Sequence, residues 1–284
     1  MKKAYLKYFS ALLLFGSNGI VASYISLDSY EIVFLRTLTG SLFLAGILLL
    51  SRKKPHGSVE MRHILYLSVS GIAMGISWMF LYEAYKTIGV SIATLAYYCG
   101  PVIVMAVSPV VFRERMTFQK LSGFTSVLAG MYLVSKDNLY QTHISCGLVF
   151  GIMSAVMYAF MVIFNKKAVS ITGLENSVFQ LGISFLTVSV FMQTRQALVL
   201  SSVFKNLFPI LLLGIVNTGI GCFLYFSSID RLPAASVAIC GYLEPLSALI
   251  FSALFLREHL TAVQLIGTVL ILGGAVISEI SNNS

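Results

Sequence analysis

Apolar runs of about twenty residues follow one another along this chain, with only short polar stretches between them. A run of that length satisfies its own backbone hydrogen bonds as a helix and spans the hydrocarbon of a bilayer. Ten runs can be drawn, at roughly 5–25, 31–50, 63–82, 90–112, 117–135, 145–165, 175–193, 207–227, 234–256 and 261–279. The fold class that follows is all-α integral membrane, with ten transmembrane helices. Charge content points the same way. Only 11% of residues are charged, against about 25% in soluble domains, too few to coat a water-facing surface. The first run, preceded by Lys2, Lys3 and Lys7 and followed by Val21-Ala22-Ser23, also has the outline of a secretory signal. Removing it leaves nine spans and breaks the repeat described next.

Shifting the chain by 144 positions superposes Tyr98 on Tyr242, Pro101 on Pro245, Ser108 on Ser252 and Arg113-Glu114 on Arg257-Glu258. Thr117, Leu121, Gly123, Leu128 and Gly130 fall on Thr261, Leu265, Gly267, Leu272 and Gly274. These identities sit largely on Pro, Gly, Tyr and charged residues, which shared greasiness does not align. The halves are expected to be 1–140 and 141–284, each of five helices. An odd number of spans inverts the second copy across the membrane, an arrangement that in secondary transporters places the site near the midplane between repeats. The central cavity is then expected between spans one, three, four, six, eight and nine.

With the N-terminus in the cytoplasm, thirteen Lys and Arg residues fall in inside segments and five in outside segments, with Arg36 within the second span. This asymmetry predicts both termini cytoplasmic in a plasma (inner) membrane. The net charge of +8 is accounted for by topology rather than by nucleic-acid binding. Cys99, Cys146, Cys222 and Cys240 all lie in apolar runs, and His56, His63, His143 and His259 lie in loops or at span edges. No metal-ligand spacing, cofactor motif or catalytic set is present, so neither metal nor cofactor is expected and the chain is not read as an enzyme. The partners expected are a small-molecule solute and the lipid bilayer, with the protein a monomer or homodimer.

The residues carrying a family resemblance are Leu243-Glu244-Pro245 in the ninth span, Arg257-Glu258 ahead of a span with Gln264 and Gly267, and Gly273-Gly274. Their first-half echoes are Pro101, Arg113-Glu114 and Gly123, and Arg36 early in the second span also fits. On these the chain resembles the drug/metabolite transporter superfamily, specifically its EamA-type ten-helix branch, over essentially its whole length. The resemblance implies a permease without ATPase machinery, and the chain has no G-x-x-x-x-G-K-[ST] loop. It implies carriage of amino acids, other small metabolites or drugs, often outward. The expected function is therefore a secondary transporter exporting amino acids or related metabolites by alternating access. The alternative is import or exchange of cationic, quaternary-amine compounds on the same fold.

Glu244 is the one carboxylate deep in a span, aligned with Gly100 in the first half. A charge at a helix centre costs about 2.5–3.5 kcal/mol on insertion scales, so it faces protein or water. It either binds a substrate amine and carries a coupling proton, or fixes helix packing. Pro101 and Pro245 are expected to bend their helices, each freeing a carbonyl four residues earlier. Trp78, Tyr82, Tyr97, Tyr98, Tyr158, Tyr225 and Tyr242 form an aromatic set able to wall a pocket or hold a cation, or to anchor at the interface. Among them Trp78, Tyr82, Tyr98, Tyr158 and Tyr242 are taken as site candidates. Asn18 and Asn217 can orient a substrate or bond neighbouring helices. Arg36 can meet a substrate carboxylate, or pair with Glu31 or snorkel. Arg113-Glu114 and Arg257-Glu258 are read as helix-junction caps.

Overall fold

The structure, a computed structural model, describes residues 1–51, 60–88, 93, 96–139, 146–193, 200–255 and 261–280. Among these, every regular element is helical. Five stretches are long and apolar enough to cross a membrane: Tyr30–Leu50, Met61–Ala84, Cys146–Lys167, Gly173–Met192 and Leu207–Ile229. Cys99–Phe112 and Leu265–Ile277 are shorter apolar stretches. Large apolar side chains such as Leu50, Val110, Phe118 and Phe208 stand on the outside of the bundle. A helix bundle apolar both inside and out is built for lipid.

The elements in order are α1 (Lys2–Gly16), α2 (Asn18–Ser23), α3 (Ser29–Leu50), α4 (Met61–Ile88), α5 (Cys99–Phe112), α6 (Phe118–Leu139), α7 (Cys146–Lys167) and α8 (Gly173–Met192). Two short helices follow, α9 (Leu200–Lys205) and α10 (Leu207–Leu211), then a π-helical segment, Leu212–Ile220. The chain ends with α11 (Gly221–Ile229), α12 (Ala234–Cys240), α13 (Leu243–Phe255) and α14 (Ala262–Ile280). The start of α3 is fixed by Asp28, whose backbone N–H donates to the Glu31 carboxylate at 2.8 Å, half of a capping box.

Two runs expected to be continuous are interrupted. The first breaks at Ser17 between α1 and α2, and the ninth breaks at Gly241-Tyr242 between α12 and α13. Tyr98 is likewise a turn ahead of α5. The expected proline bends are corrected by this. Pro101 and Pro245 each occupy the third position of a new helix, where the missing N–H has no intrahelical acceptor to lose. The Gly241 carbonyl is not left open either, because the Glu244 N–H donates to it at 3.1 Å.

α1 packs on α11 and α13, and α3 on α8 and the π segment. α4 lies along α7 and α8, α5 on α7 and α12, and α6 along α14. The α6–α14 crossing depends on glycine at the contact. A Cβ on Gly130 would lie 2.5 Å from the Gly267 carbonyl oxygen, and one on Gly274 would lie 2.5 Å from the Gly123 oxygen. Ser126 donates to the Leu270 carbonyl at 3.0 Å between them. Small residues let membrane helices approach this closely. Gly130→Ala or Gly274→Ala is expected to lower stability by about 1–3 kcal/mol through overpacking. Gly273→Ala, with nothing within 4 Å of its Cβ position, is expected to change nothing. Thermal unfolding of the three variants in detergent checks this, and equal midpoints would remove the close-approach argument.

Candidate functional site

The helix breaks face a common space. A cavity of about 590 Å³ lies against the Gly16–Ser17 junction, the start of α13, the N-terminal part of α3 and the C-terminal part of α4. Its walls are mainly apolar and aromatic, with Phe15, Met74, Met161, Cys222 and Phe226 among the lining residues. The volume falls in the range of about 300–1,000 Å³ typical of small-molecule sites.

Of the nine site candidates, Glu244, Tyr98, Trp78, Tyr82, Tyr158, Asn18 and Arg36 line this cavity. Each of the six runs expected to contribute supplies lining residues, and the second is added, because Ile32 and Arg36 of α3 also reach the wall. Tyr242 and Asn217 are not in the lining. Tyr242 is buried and donates its hydroxyl to the Tyr98 carbonyl at 2.7 Å, holding the two helix breaks together. Asn217 donates its amide to the Leu14 carbonyl and the Ser17 hydroxyl, both at 2.8 Å, clamping the α1–α2 break. Both are therefore positioning residues here.

Arg36 is 5% exposed, so it does not snorkel. Its Nε donates to Thr218 Oγ1 at 2.8 Å, and its guanidinium lies 4.8 Å from the Trp78 ring centroid. Thr218 sits in the π segment and passes its own hydrogen to the Leu213 carbonyl five residues earlier, at 2.8 Å. The wider π turn thus presents a hydroxyl acceptor to the arginine, a use of π geometry common at functional sites. Among the described residues Arg36 forms no ion pair with Glu31, whose carboxylate accepts from the Asp28 N–H. Among the described residues Arg36 and Glu244 form no direct ion pair, although both line the cavity. One guanidinium and one carboxyl group thus share an apolar enclosure.

The aromatic wall is continuous. Tyr97 stands edge-on to Tyr158 at 5.4 Å between centroids and 5.6 Å from Tyr98. The Tyr158 and Tyr225 hydroxyls are 3.2 Å apart. One hydroxyl of this pair donates to the other, leaving one O–H for another acceptor. Gly16 makes the wall possible: a Cβ there would lie 2.9 Å from both the Glu244 carbonyl oxygen and the Ala248 nitrogen.

The opposite end of the bundle is held by a different set. Lys166, at the end of α7, donates to the carbonyls of Ile229, at 2.8 Å, and Leu232. The Glu114 carboxylate accepts from the backbone N–H groups of Ala234, at 2.6 Å, and Ala235, at 3.0 Å. It therefore caps α12, the junction role expected of that acid. Lys7 donates to Ser227 Oγ at 3.4 Å beside them. Desolvation raises the nearby Asp230 carboxyl above its ordinary range, with Arg231, Lys166 and Lys7 opposing the shift. Arg257-Glu258, the counterpart pair, lies outside the described residues.

Sequence reasoning did not single out Thr218, Cys222 or the methionines of the wall. Tyr225 was legible only as a member of the aromatic set.

Comparison with known proteins fits this geometry. A sequence profile of the EamA-like transporter family matches residues 2–136 and again residues 145–279. The uncharacterized transporter YxxF of Bacillus subtilis (strain 168) is 25% identical over 279 residues, covering 97% of this chain and 89% of its own. An uncharacterized transporter of Archaeoglobus fulgidus is 26% identical over 266 residues, covering 94% of this chain and 92% of its own. A protein of Escherichia coli (strain K12) named "Probable amino-acid metabolite efflux pump" is 27% identical over 179 residues, 59% of this chain and 60% of its own. A crystal structure 16% identical in sequence superposes with a TM-score of 0.82 over 98% of both chains, so the fold is shared. The chain is a membrane transporter and belongs to the EamA-like transporter family.

Proposed function

We propose that the chain is a secondary active transporter that exports amino acids or closely related metabolites by alternating access. The observation that carries the reading is that Arg36 and Glu244 both line one aromatic-walled cavity. A zwitterion presents a carboxylate to the first and an ammonium to the second, and its side chain meets the tyrosines, methionines and phenylalanines. The outward direction is supported by the efflux-pump names of the Escherichia coli relative and of one from Salmonella typhimurium. A site for quaternary amines would use the tyrosines and Glu244 but has no use for a buried guanidinium.

The architecture proposed is ten helices in two inverted five-helix repeats, 1–140 and 141–284, in the inner membrane with both termini cytoplasmic. Two family matches in tandem support it. So do contacts between residues 144 apart: Tyr242 with Tyr98, and Ser126 with Leu270. A residue that touches its own copy lies on the axis relating the copies. The Gly130–Gly267 and Gly274–Gly123 approaches are exchanged by the same shift. In this reading the Lys166–Glu114 end is the closed one, and opening it while closing the Arg36–Tyr82 end completes the cycle.

A thermal-shift panel of amino acids, amines and nucleosides on the purified protein tests the substrate class, since a ligand at 100 times its Kd adds about 2.7 kcal/mol of apparent stability. Amino acids are expected to shift the midpoint and to be exchanged by counterflow in proteoliposomes. A shift with choline-like amines and none with amino acids would replace this reading with the quaternary-amine one.

A further inference from the structure

We infer that Asn18 is a specificity-determining residue: with Glu244 it accepts two N–H groups of a primary ammonium, so that the site rejects N-methylated substrates. The inference rests on the amino-acid reading above.

Asn18 is the first residue of α2, directly after the break at Ser17. The break is fixed on its far side by Asn217, through Leu14 and Ser17. On its near side Gly16 presses against the Glu244 carbonyl. The Ser17 hydroxyl is spent on the Leu14 carbonyl at 2.7 Å. This leaves the Asn18 side chain on the cavity wall, two residues along the chain from the contact with Glu244.

Its amide oxygen is buried and has no hydrogen-bond donor among the described residues. Other buried asparagines differ. Asn165 and Asn176 bond each other at 2.9 Å and 3.2 Å. Asn206 accepts from the Ser26 N–H at 3.0 Å. Buried polar groups without partners are rare and ask for an explanation. An acceptor left open on a cavity wall, in a cavity that also contains a carboxylate, is explained by a ligand that brings its own donors.

A primary ammonium has three N–H groups and can serve Glu244 and Asn18 together. A tertiary ammonium has one and must abandon an acceptor. A quaternary ammonium has none and sets methyl groups against the amide oxygen. A site built to hydrogen-bond a substrate group discriminates strongly against analogues lacking it, because its own buried groups are then unpaired. Glu244 alone takes one N–H and would not separate a primary from a tertiary ammonium; the share of Asn18 in rejecting a quaternary one is read from the change in ratio in Asn18→Leu.

The test is competition for counterflow of radiolabelled leucine and phenylalanine in proteoliposomes, using each parent amino acid and its N,N,N-trimethyl derivative. On the unmodified protein, trimethylation is expected to weaken competition by about 10- to 100-fold. Equal competition by the two forms overturns the inference, whatever any variant does. Asn18→Leu, similar in shape but without an acceptor, is expected to narrow the ratio at least several-fold. Asn18→Asp, which keeps the acceptor, is expected to preserve the ratio or widen it. A ratio that is large in the unmodified protein and the same in Asn18→Leu assigns discrimination to another group and overturns the role of Asn18. Both of those failures leave the amino-acid reading standing. Absence of leucine and phenylalanine exchange, together with no response across the remaining amino acids, overturns that reading and this inference with it.

Discussion

Replacing Glu244 with Gln is expected to abolish pH-gradient-driven transport in proteoliposomes and to raise the KM for amino acids by about 10- to 100-fold in counterflow without a gradient. The second effect is the loss of a charge-assisted hydrogen bond to the substrate ammonium, about 1.5–3 kcal/mol. Gln keeps the shape and one acceptor, so folding should survive. The first effect follows from occupancy. A carboxylate in this cavity can hold a proton or an ammonium, and not both at full strength. Competition of two ligands for one group couples their movements: a proton arriving from one side helps release the substrate there, and substrate arriving from the other side displaces the proton. Gln does not titrate, so the exchange has no second ligand. The helix start supports the anion, since Glu244 is in the first turn of α13, where the dipole favours negative charge. Undiminished dependence on the pH gradient in Glu244→Gln would remove the proton role, and an unchanged KM would remove the ammonium role.

Much of this site was legible because charge in lipid is costly. Glu244 and Arg36 stand out in apolar runs for the same reason that they must face protein or water, and both line the cavity. The tyrosines were less legible, because pairing by the repeat and lining the cavity are different properties. Tyr98 and Tyr242 are copies of one another, yet Tyr242 spends its hydroxyl on Tyr98's carbonyl while Tyr98 reaches the wall. The two asparagines make the point more sharply. Asn18 and Asn217 are the same residue in the same kind of run. What separates them is a partner about 200 positions away: Ser17 is 200 residues from Asn217, and no local pattern encodes that contact.

The breaks were misread for a related reason. A proline inside an apolar run looks like a bend in one helix, but the same proline is equally suited to the first turn of a new one. The choice is made by Tyr98 and Gly241-Tyr242 turning just upstream, which is decided by packing rather than by composition. The π segment is hidden for the same reason. Leu212–Ile220 reads as an ordinary apolar stretch, and its wider turn is visible only through Thr218 reaching Leu213 and receiving Arg36.

Arg36→Met is expected to separate recognition of the two ends of the substrate. Arginine offers a planar fork that matches a carboxylate bidentately. Here its Nε is committed to Thr218 and its face to Trp78, so the guanidinium is held in one orientation before a ligand arrives. Loss of a charge-assisted pair of about 1.5–3 kcal/mol should raise the KM for leucine by about 10- to 100-fold. Isoamylamine, which keeps the ammonium and side chain but has no carboxylate, should lose nothing and should gain on leucine, because every contact it makes is unchanged in the variant. Arg36→Lys should recover part of the leucine affinity as a point charge without the fork. The Thr218 hydroxyl still donates to Leu213 in both variants, so the π segment keeps its internal bond. Counterflow measured with both compounds decides the matter. If leucine and isoamylamine weaken together in Arg36→Met, the arginine supports the wall through Trp78 and does not hold a carboxylate, and the zwitterion reading loses one of its two anchors.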